Sequence, residues 1–191
     1  MGTTYPAVIY KTPSLKQRIT FQGSLIGCTD TCFAMAGNAQ AIGGIKLTEA
    51  LVRSLSNERF PNPASPGLNQ DQLVDVARKL HFPYSKGNGN PFTSVITRIE
   101  EGRRVVAQLW YADIGGSNIG HAIFLESRRK DSTGTWVLGG VDPIKGRREW
   151  FKQSQVEHAM EHFGRMNGLG SGGTFHGYTR IVPLLAQGAK P

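Results

Sequence analysis

The sequence predicts an α+β fold, in which a helical N-terminal half, about residues 1–102, packs on an antiparallel β-sheet formed by about residues 103–191. Two patterns support this division. Apolar residues before Gly102 recur at the spacing of amphipathic helices, whereas the runs after Arg104 are rich in β-branched and aromatic residues. The length of 191 residues fits one domain with its own core, so we expect a single domain over residues 1–191.

Four helices are expected in the N-terminal half. The first would begin between Cys28 and Asp30 and run toward a glycine pair. Apolar residues at i, i+4, i+5 and i+8 predict the second helix, and Asn69 is placed to cap the third. The predicted helices cover about residues 28–44, 47–55, 70–80 and 94–101.

Five strands and one more helix are expected in the C-terminal half. The turn at residues 131–134 would join the second and third strands. An S-x-x-E capping box beginning at Ser154 predicts a helix to about Phe163, followed by a glycine-rich loop over residues 164–173. Pro183 predicts that the closing strand lies at an edge of the sheet. The predicted strands cover about residues 105–111, 121–127, 135–141, 147–151 and 176–184.

The composition is that of a folded protein outside the membrane. Hydrophobic residues make up 39% of the chain and charged residues 19%. No apolar stretch has the length of a transmembrane helix. Lys11, Lys16 and Arg18 interrupt the first thirty residues, which therefore lack the apolar run of a secretory signal. We expect a soluble protein that is cytoplasmic where it is made.

The net charge is strongly positive. It amounts to +8, from 22 Lys and Arg against 14 Asp and Glu. Much of it lies in short basic runs at residues 103–104, 128–130 and 147–148. Such runs form either an ordinary solvated surface or a patch for nucleic acid or acidic partners. Because no aromatic-basic motif accompanies them, we favour the solvated surface and do not expect nucleic acid as a partner.

Cys28 has the setting of a reactive thiol. The two cysteines are too few for a disulfide framework. Cys28 follows Gly27 at the start of the first predicted helix, where backbone amides and the helix dipole stabilise a thiolate. The side chain of Gln22 arrives just before this helix and can donate to a developing oxyanion. Cys32 lies one turn inside the helix and is the weaker candidate, and both cysteines could instead be small buried side chains.

These residues and a second pair further along resemble a known family. The run from Gln22 to Cys28 resembles the glutamine-to-cysteine element of papain-like cysteine peptidases. The run 28–36 is similar to the C-G-P-x-x-x-A-M opening of the C39-like branch, with Thr29-Asp30 in place of Gly-Pro. Gly-His at residues 120–121 and Val-Asp-Pro at 141–143 match the family's His…Asp-Pro pattern. The resemblance covers about residues 20–150.

The resemblance implies a papain-like fold and a cysteine endopeptidase. Cys28 would be the nucleophile, His121 its base, Asp142 the group that orients the base, and Gln22 an oxyanion donor. Two antiparallel strands and a turn fit between His121 and Asp142, so their ends can lie side by side. The resemblance further implies a protein substrate, cut after Gly-Gly. It also suggests a bacterial effector or toxin, delivered by a specialised secretion machine and blocked by a cognate immunity protein.

Several alternatives stay open. Asp142 before a proline could be only a turn former, His121 an ordinary strand histidine and Gln22 an ordinary loop glutamine. The whole chain could be a catalytically silent papain-like module that binds partners through a cleft with a basic rim. Finally, His158 and His162 form an H-x-x-E-H motif typical of zinc peptidases. Because no carboxylate follows this motif in the sequence, we interpret it as an exposed polar helix face and predict no metal and no other cofactor.

Overall fold

The structure is a computed structural model of the chain. It describes residues 27–39, 47–57, 70–81, 84–87, 92–166 and 178–181. None of the helices in this described part has the length and apolar character of a membrane span.

Five α-helices and a short 3-10 helix are present in the described residues. The α-helices are α1 (Cys28–Ala39), α2 (Glu49–Asn57), α3 (Gln70–Lys79), α4 (Thr93–Glu100) and α5 (Gln153–Met166), and the 3-10 helix covers Tyr111–Ile114. All five predicted helices are therefore found. The expected extension of α1 to residues 43–44 and the cap at Asn69 lie outside the described residues.

Two helix boundaries differ from those predicted. Helix α2 begins two residues later, because Thr48 caps it: the Leu51 amide donates to the Thr48 hydroxyl at 3.1 Å. Helix α5 begins before Ser154 and continues past Phe163 through Gly164, which is buried. The prediction that residue 164 starts a loop was wrong, since a glycine inside a packed helix face allows close contact at a modest cost in helix propensity.

The six strands form one antiparallel sheet in the order β1-β6-β2-β3-β4-β5. The strands are β1 (Tyr84–Gly87), β2 (Arg104–Trp110), β3 (Gly120–Lys130), β4 (Trp136–Asp142), β5 (Arg147–Lys152) and β6 (Tyr178–Ile181). Strand β1 was not predicted. It pairs with β6, which therefore lies between β1 and β2, and the prediction of β6 as an edge strand was wrong. Pro183, on which that prediction rested, lies outside the described residues.

Helices cover both faces of the sheet, so alternate residues of the central strands enter two separate cores. On β2, Val106 packs into a core with α1, α2 and α3, whereas Val105 and Ala107 pack into a second core with α4 and α5. The same alternation divides Phe124 from Ile123 on β3. Burial on both faces explains the continuous apolar runs of these strands and holds the start of α1 against β3.

Candidate active site

Cys28 is the first residue of α1, at the junction between the helices and the sheet. The helix begins with a hydrogen bond from the Thr31 amide to the Gly27 carbonyl at 2.9 Å. A Cβ on Gly27 would overlap the carboxyl group of Glu49, so glycine permits the close approach of α2 at this point. Cys28 is 5% exposed and lies at the positive end of the helix dipole. This position favours a thiolate.

His121 and Asp142 are brought together by the pairing of β3 with β4. His121 lies near the start of β3, and Asp142 is the last residue of β4. Their side chains are fully buried, and Nε2 of His121 lies 3.0 Å from Oδ1 of Asp142. The Ile144 amide also donates to Oδ1 at 3.0 Å. These contacts fix the carboxylate and, through it, the orientation of the imidazole ring.

The second ring nitrogen of His121, Nδ1, is left for the thiol. It is buried and has no hydrogen-bond partner among the described residues. Burial tends to raise the pKa of Cys28, but the interaction with the nearby His121 and a contact with the Thr29 hydroxyl outweigh it, and the pKa is lowered. Burial tends to lower the pKa of His121, but interactions with Asp142 and Cys28 raise it. The pair is therefore shifted toward thiolate and imidazolium.

Asp142 stays ionised although it is buried. Burial tends to raise its pKa, yet hydrogen bonds from His121 and from Tyr111 lower it. Lys145 adds a positive charge 3.9 Å from Oδ2. Several hydrogen-bond donors and a nearby cation can hold the pKa of a buried carboxylate low enough for it to stay ionised.

Cys32 lies one turn further along α1 and is chemically different. Its side chain is fully buried, and its thiol donates to the carbonyl oxygen of Ala122 at 3.4 Å. Burial raises the pKa of Cys32 well above the ordinary value. Of the two cysteines, Cys28 alone is both next to His121 and shifted toward the thiolate.

Tyr111 contacts both His121 and Asp142, and the sequence did not predict it as a site residue. Its hydroxyl donates to Oδ2 of Asp142 at 2.7 Å, and its ring packs on His121 with centroids 4.2 Å apart. The 3-10 helix that begins at Tyr111 ends before Gly115, which has φ of +92°, and a Cβ on Gly116 would overlap the Tyr111 ring. The adjacent glycines were the available signal of a tight turn beside this tyrosine.

An ion pair between the buried carboxylate of Asp30 and the partly exposed Arg53 lies near Cys28, where the sequence departs from the Gly-Pro of the C39-like pattern. Oδ2 of Asp30 lies 2.9 Å from Nε of Arg53, and a second guanidinium nitrogen of Arg53 contacts Glu49 at 3.2 Å. Glu49 in turn accepts from the Thr31 hydroxyl at 3.2 Å. Burial raises the pKa of Asp30 to about 6 against the opposing effect of Arg53. The network joins the first turn of α1 to α2 and so fixes the position of Cys28.

Gln22, the predicted oxyanion donor, lies outside the described residues. Its role stays a prediction.

The H-x-x-E-H motif has a neighbour that the sequence did not indicate. His158 and His162 lie on one face of α5, and Asp113 of the 3-10 helix approaches both, so that one donor atom from each residue lies within 4.8 Å of the others. No carboxylate follows the motif in the sequence, but Asp113, 49 residues before His162, lies beside it in the structure.

Comparisons with known proteins find similarity in structure but not in sequence. The chain matches no protein-family model and no curated protein. Eighteen chains of solved structures match it. One is the crystal structure of a putative C39-like peptidase from Bacillus anthracis, with a TM-score of 0.61 and 15% sequence identity, over 92% of this chain and 96% of that chain. The fold is C39-like.

The C39-like fold confirms the predicted fold class. Helices of the N-terminal half pack on an antiparallel sheet of the C-terminal half, as in papain-like proteins. The catalytic role of each residue does not follow from a likeness at this level of identity. That role rests on the geometry of the site.

Proposed function

We propose that this protein is a cysteine peptidase, a hydrolase with Cys28 as nucleophile, His121 as base and Asp142 as the residue that orients the base. The observation that carries the proposal is the buried His121–Asp142 pair, with Nε2 of His121 3.0 Å from the carboxylate and Nδ1 without a hydrogen-bond partner among the described residues, beside a Cys28 thiol whose pKa His121 lowers. The C39-like fold supports it independently, since the similar solved structure is described as a peptidase.

The proposed reaction follows from the charges of this pair. The Cys28 thiolate adds to the substrate carbonyl carbon. The imidazolium of His121 then gives its proton to the leaving amine as the C–N bond breaks. His121 next takes a proton from water, whose oxygen attacks the thioester, and cleavage of the C–S bond restores the thiolate. The backbone amides at the start of α1, together with Gln22, would stabilise the oxyanion.

We propose that the substrate is a protein, which is cut after Gly-Gly. Cys28 is only 5% exposed, so the scissile carbonyl must reach the sulfur through a narrow opening. A glycine before the cut meets this steric demand better than any larger residue. Gly→Leu at that substrate position should therefore greatly slow cleavage, and a peptide library would show it. Preference for a bulky or basic residue there would exclude Gly-Gly specificity while leaving the peptidase proposal intact.

An effector or toxin that cleaves proteins of another cell is the biological role we propose. It rests on the family resemblance and on the reactive pair described above. A specialised secretion machine would deliver it, and a cognate immunity protein would block the cleft in the producing cell.

The alternative of a silent binding module with a basic rim has less support. The basic residues that follow Asp142 are paired with acids rather than left to attract an acidic partner. Lys145 and Arg147 both contact Glu149, at 2.7 and 3.0 Å, and Arg148 contacts Glu126 at 2.6 Å. These contacts offset part of the positive charge of the three residues, and so weaken its attraction for an acidic ligand.

The deciding experiment expresses the wild type and Cys28→Ala in a bacterial cytosol and identifies new protein termini by mass spectrometry. Cys32→Ala is the matched control, because it removes the other thiol of the same helix. We expect new termini with the wild type and Cys32→Ala, and none with Cys28→Ala. Identical termini from Cys28→Ala and the wild type would favour the binding module.

A further inference from the structure

The H-x-x-E-H motif of α5 forms a three-residue cluster with Asp113, away from Cys28. We propose that Asp113, His158 and His162 bind one transition-metal ion of the zinc class. This site is separate from the thiol chemistry proposed above and does not depend on it.

Two of the three distances in the cluster lie on either side of the value that a metal requires, and all three are within 4.8 Å. Oδ2 of Asp113 lies 2.9 Å from Nδ1 of His162 and 4.0 Å from Nε2 of His158. In a tetrahedral zinc site with bonds of about 2.0–2.1 Å, neighbouring ligand atoms lie about 3.4 Å apart. On metal binding, the distance from Asp113 to His162 would lengthen slightly and the distance from Asp113 to His158 would shorten slightly. The side chain of His158 is 61% exposed, so its ring can turn without disturbing the core.

Rigid elements hold the ligands in place. His158 and His162 are four residues apart on α5, whose opposite face is anchored in the core by Val156 and Met160. The ring of His162 packs on Trp110 with centroids 5.3 Å apart. Trp110 is itself held by a hydrogen bond from its indole nitrogen to Asn118 at 2.9 Å. Ligands that are already oriented lose little conformational freedom on binding.

The donor atoms indicate the class of ion. Two imidazole nitrogens and one carboxylate oxygen suit Zn²⁺, Co²⁺, Ni²⁺ or Cu²⁺, whereas Ca²⁺ and Mg²⁺ prefer oxygen ligands alone. The exposure of His158 leaves the outer side of the site open to a water ligand. The chemistry thus fits a zinc site with three protein ligands.

The position of Asp113 suggests what the ion does. Asp113 belongs to the same short 3-10 helix as Tyr111, whose hydroxyl donates to Asp142. A metal ion shared between Asp113 and the two histidines would tie α5 to this helix. It would therefore restrict the movement of the 3-10 helix and keep Tyr111 in contact with Asp142.

The test measures zinc binding by calorimetry and cobalt binding by visible absorption, on the full chain carrying Cys28→Ala. That change removes the thiol beside His121, which would otherwise compete for the metal. We expect one equivalent of Co²⁺ to bind and one equivalent of Zn²⁺ to displace it. Zinc should also raise the melting temperature.

Two variants assign the site, and one serves as a control. His158→Gln changes an exposed side chain, so folding is not at risk, and Asp113→Asn keeps the shape of the third ligand while removing its charge. Each should weaken zinc binding by more than the roughly tenfold loss typical of an outer-shell partner. His81→Asn replaces an exposed histidine with φ of 54°, a conformation that asparagine tolerates, and should bind zinc as before. Unchanged affinity in His158→Gln and Asp113→Asn, or no saturable binding of any of these ions, would overturn the proposal.

Discussion

Replacing Tyr111 by phenylalanine removes one hydroxyl group and keeps the aromatic ring on His121. In the wild type this hydroxyl donates to Oδ2 of Asp142 at 2.7 Å. No other described residue donates a hydrogen bond to that oxygen, because Nζ of Lys145, at 3.9 Å, is too far away to form one. The variant therefore leaves one oxygen of a buried carboxylate without a donor.

The expected cost follows from the charge and burial of that oxygen. A buried charged acceptor that loses its donor costs about 1.5–3 kcal/mol. Lys145 is 35% exposed and can move closer, so we expect the lower end, a fall of about 1.5 kcal/mol in the free energy of unfolding at pH 7. Because the folded-state pKa of Asp142 is lowered, its stabilising contribution is present above the unfolded pKa and is lost as pH falls through the folded pKa. The difference between the two proteins should shrink below about pH 4.

Urea unfolding followed by circular dichroism measures this free energy. The rate at which iodoacetamide alkylates Cys28 reports the protonation state of Cys28 and His121, and this assay needs no substrate. Tyr111→Phe should alkylate more slowly than the wild type at mildly acidic pH, because a less firmly held Asp142 supports the imidazolium less well. Tyr111→Leu removes the ring as well and should be slower still. Equal unfolding free energies and equal alkylation profiles for the wild type and Tyr111→Phe would refute this account of Tyr111.

The remaining predictions concern the thiols and two buried carboxylates. Cys28 should react with iodoacetamide at pH 6 while Cys32 lags far behind, as measured by peptide mass spectrometry; equal, slow labelling would contradict the assignment of the nucleophile. Asp142→Ala should lower kcat far more than it changes KM, with circular dichroism confirming the fold; activity within a few-fold of the wild type would show that another group orients His121. Asp30, with a folded-state pKa of about 6 against 3.8, should reduce stability by about 2 kcal/mol as pH rises from 4 to 6, out of about 3 kcal/mol over the whole titration. Urea unfolding of Asp30→Asn should lack this dependence, and an unchanged slope would show that Asp30 is not its source.

Much of the fold was predictable because its signals are local. The apolar spacing of α2 and α3 reflects burial of one helix face, and the continuous apolar runs of β2 and β3 reflect burial on both faces. The pairing of β3 with β4 follows from the short turn between them, and it brings His121 beside Asp142.

The parts that could not be predicted depend on contacts between distant segments. Strand β1 is only four residues long and is defined by its pairing with β6, far along the chain. Tyr111 looked like the end of a strand, and its contact with Asp142 exists only after β2, β3 and β4 are assembled. The sequence does not indicate that Asp113 lies near His162, because the two residues are 49 positions apart and meet only in the folded chain.

The insertion of β6 between β1 and β2 has a consequence for the order of events during synthesis. Helix α1 leaves the ribosome long before the strands on which it packs, and its contact from Cys32 to Ala122 joins residues 90 apart in sequence. Strands β2 to β5 follow one another through neighbouring pairings and can assemble early, whereas β1 must wait for β6 near the end of the chain. Cys28 therefore emerges well before His121, and the two side chains can meet only after β3 has formed and α1 has packed on it.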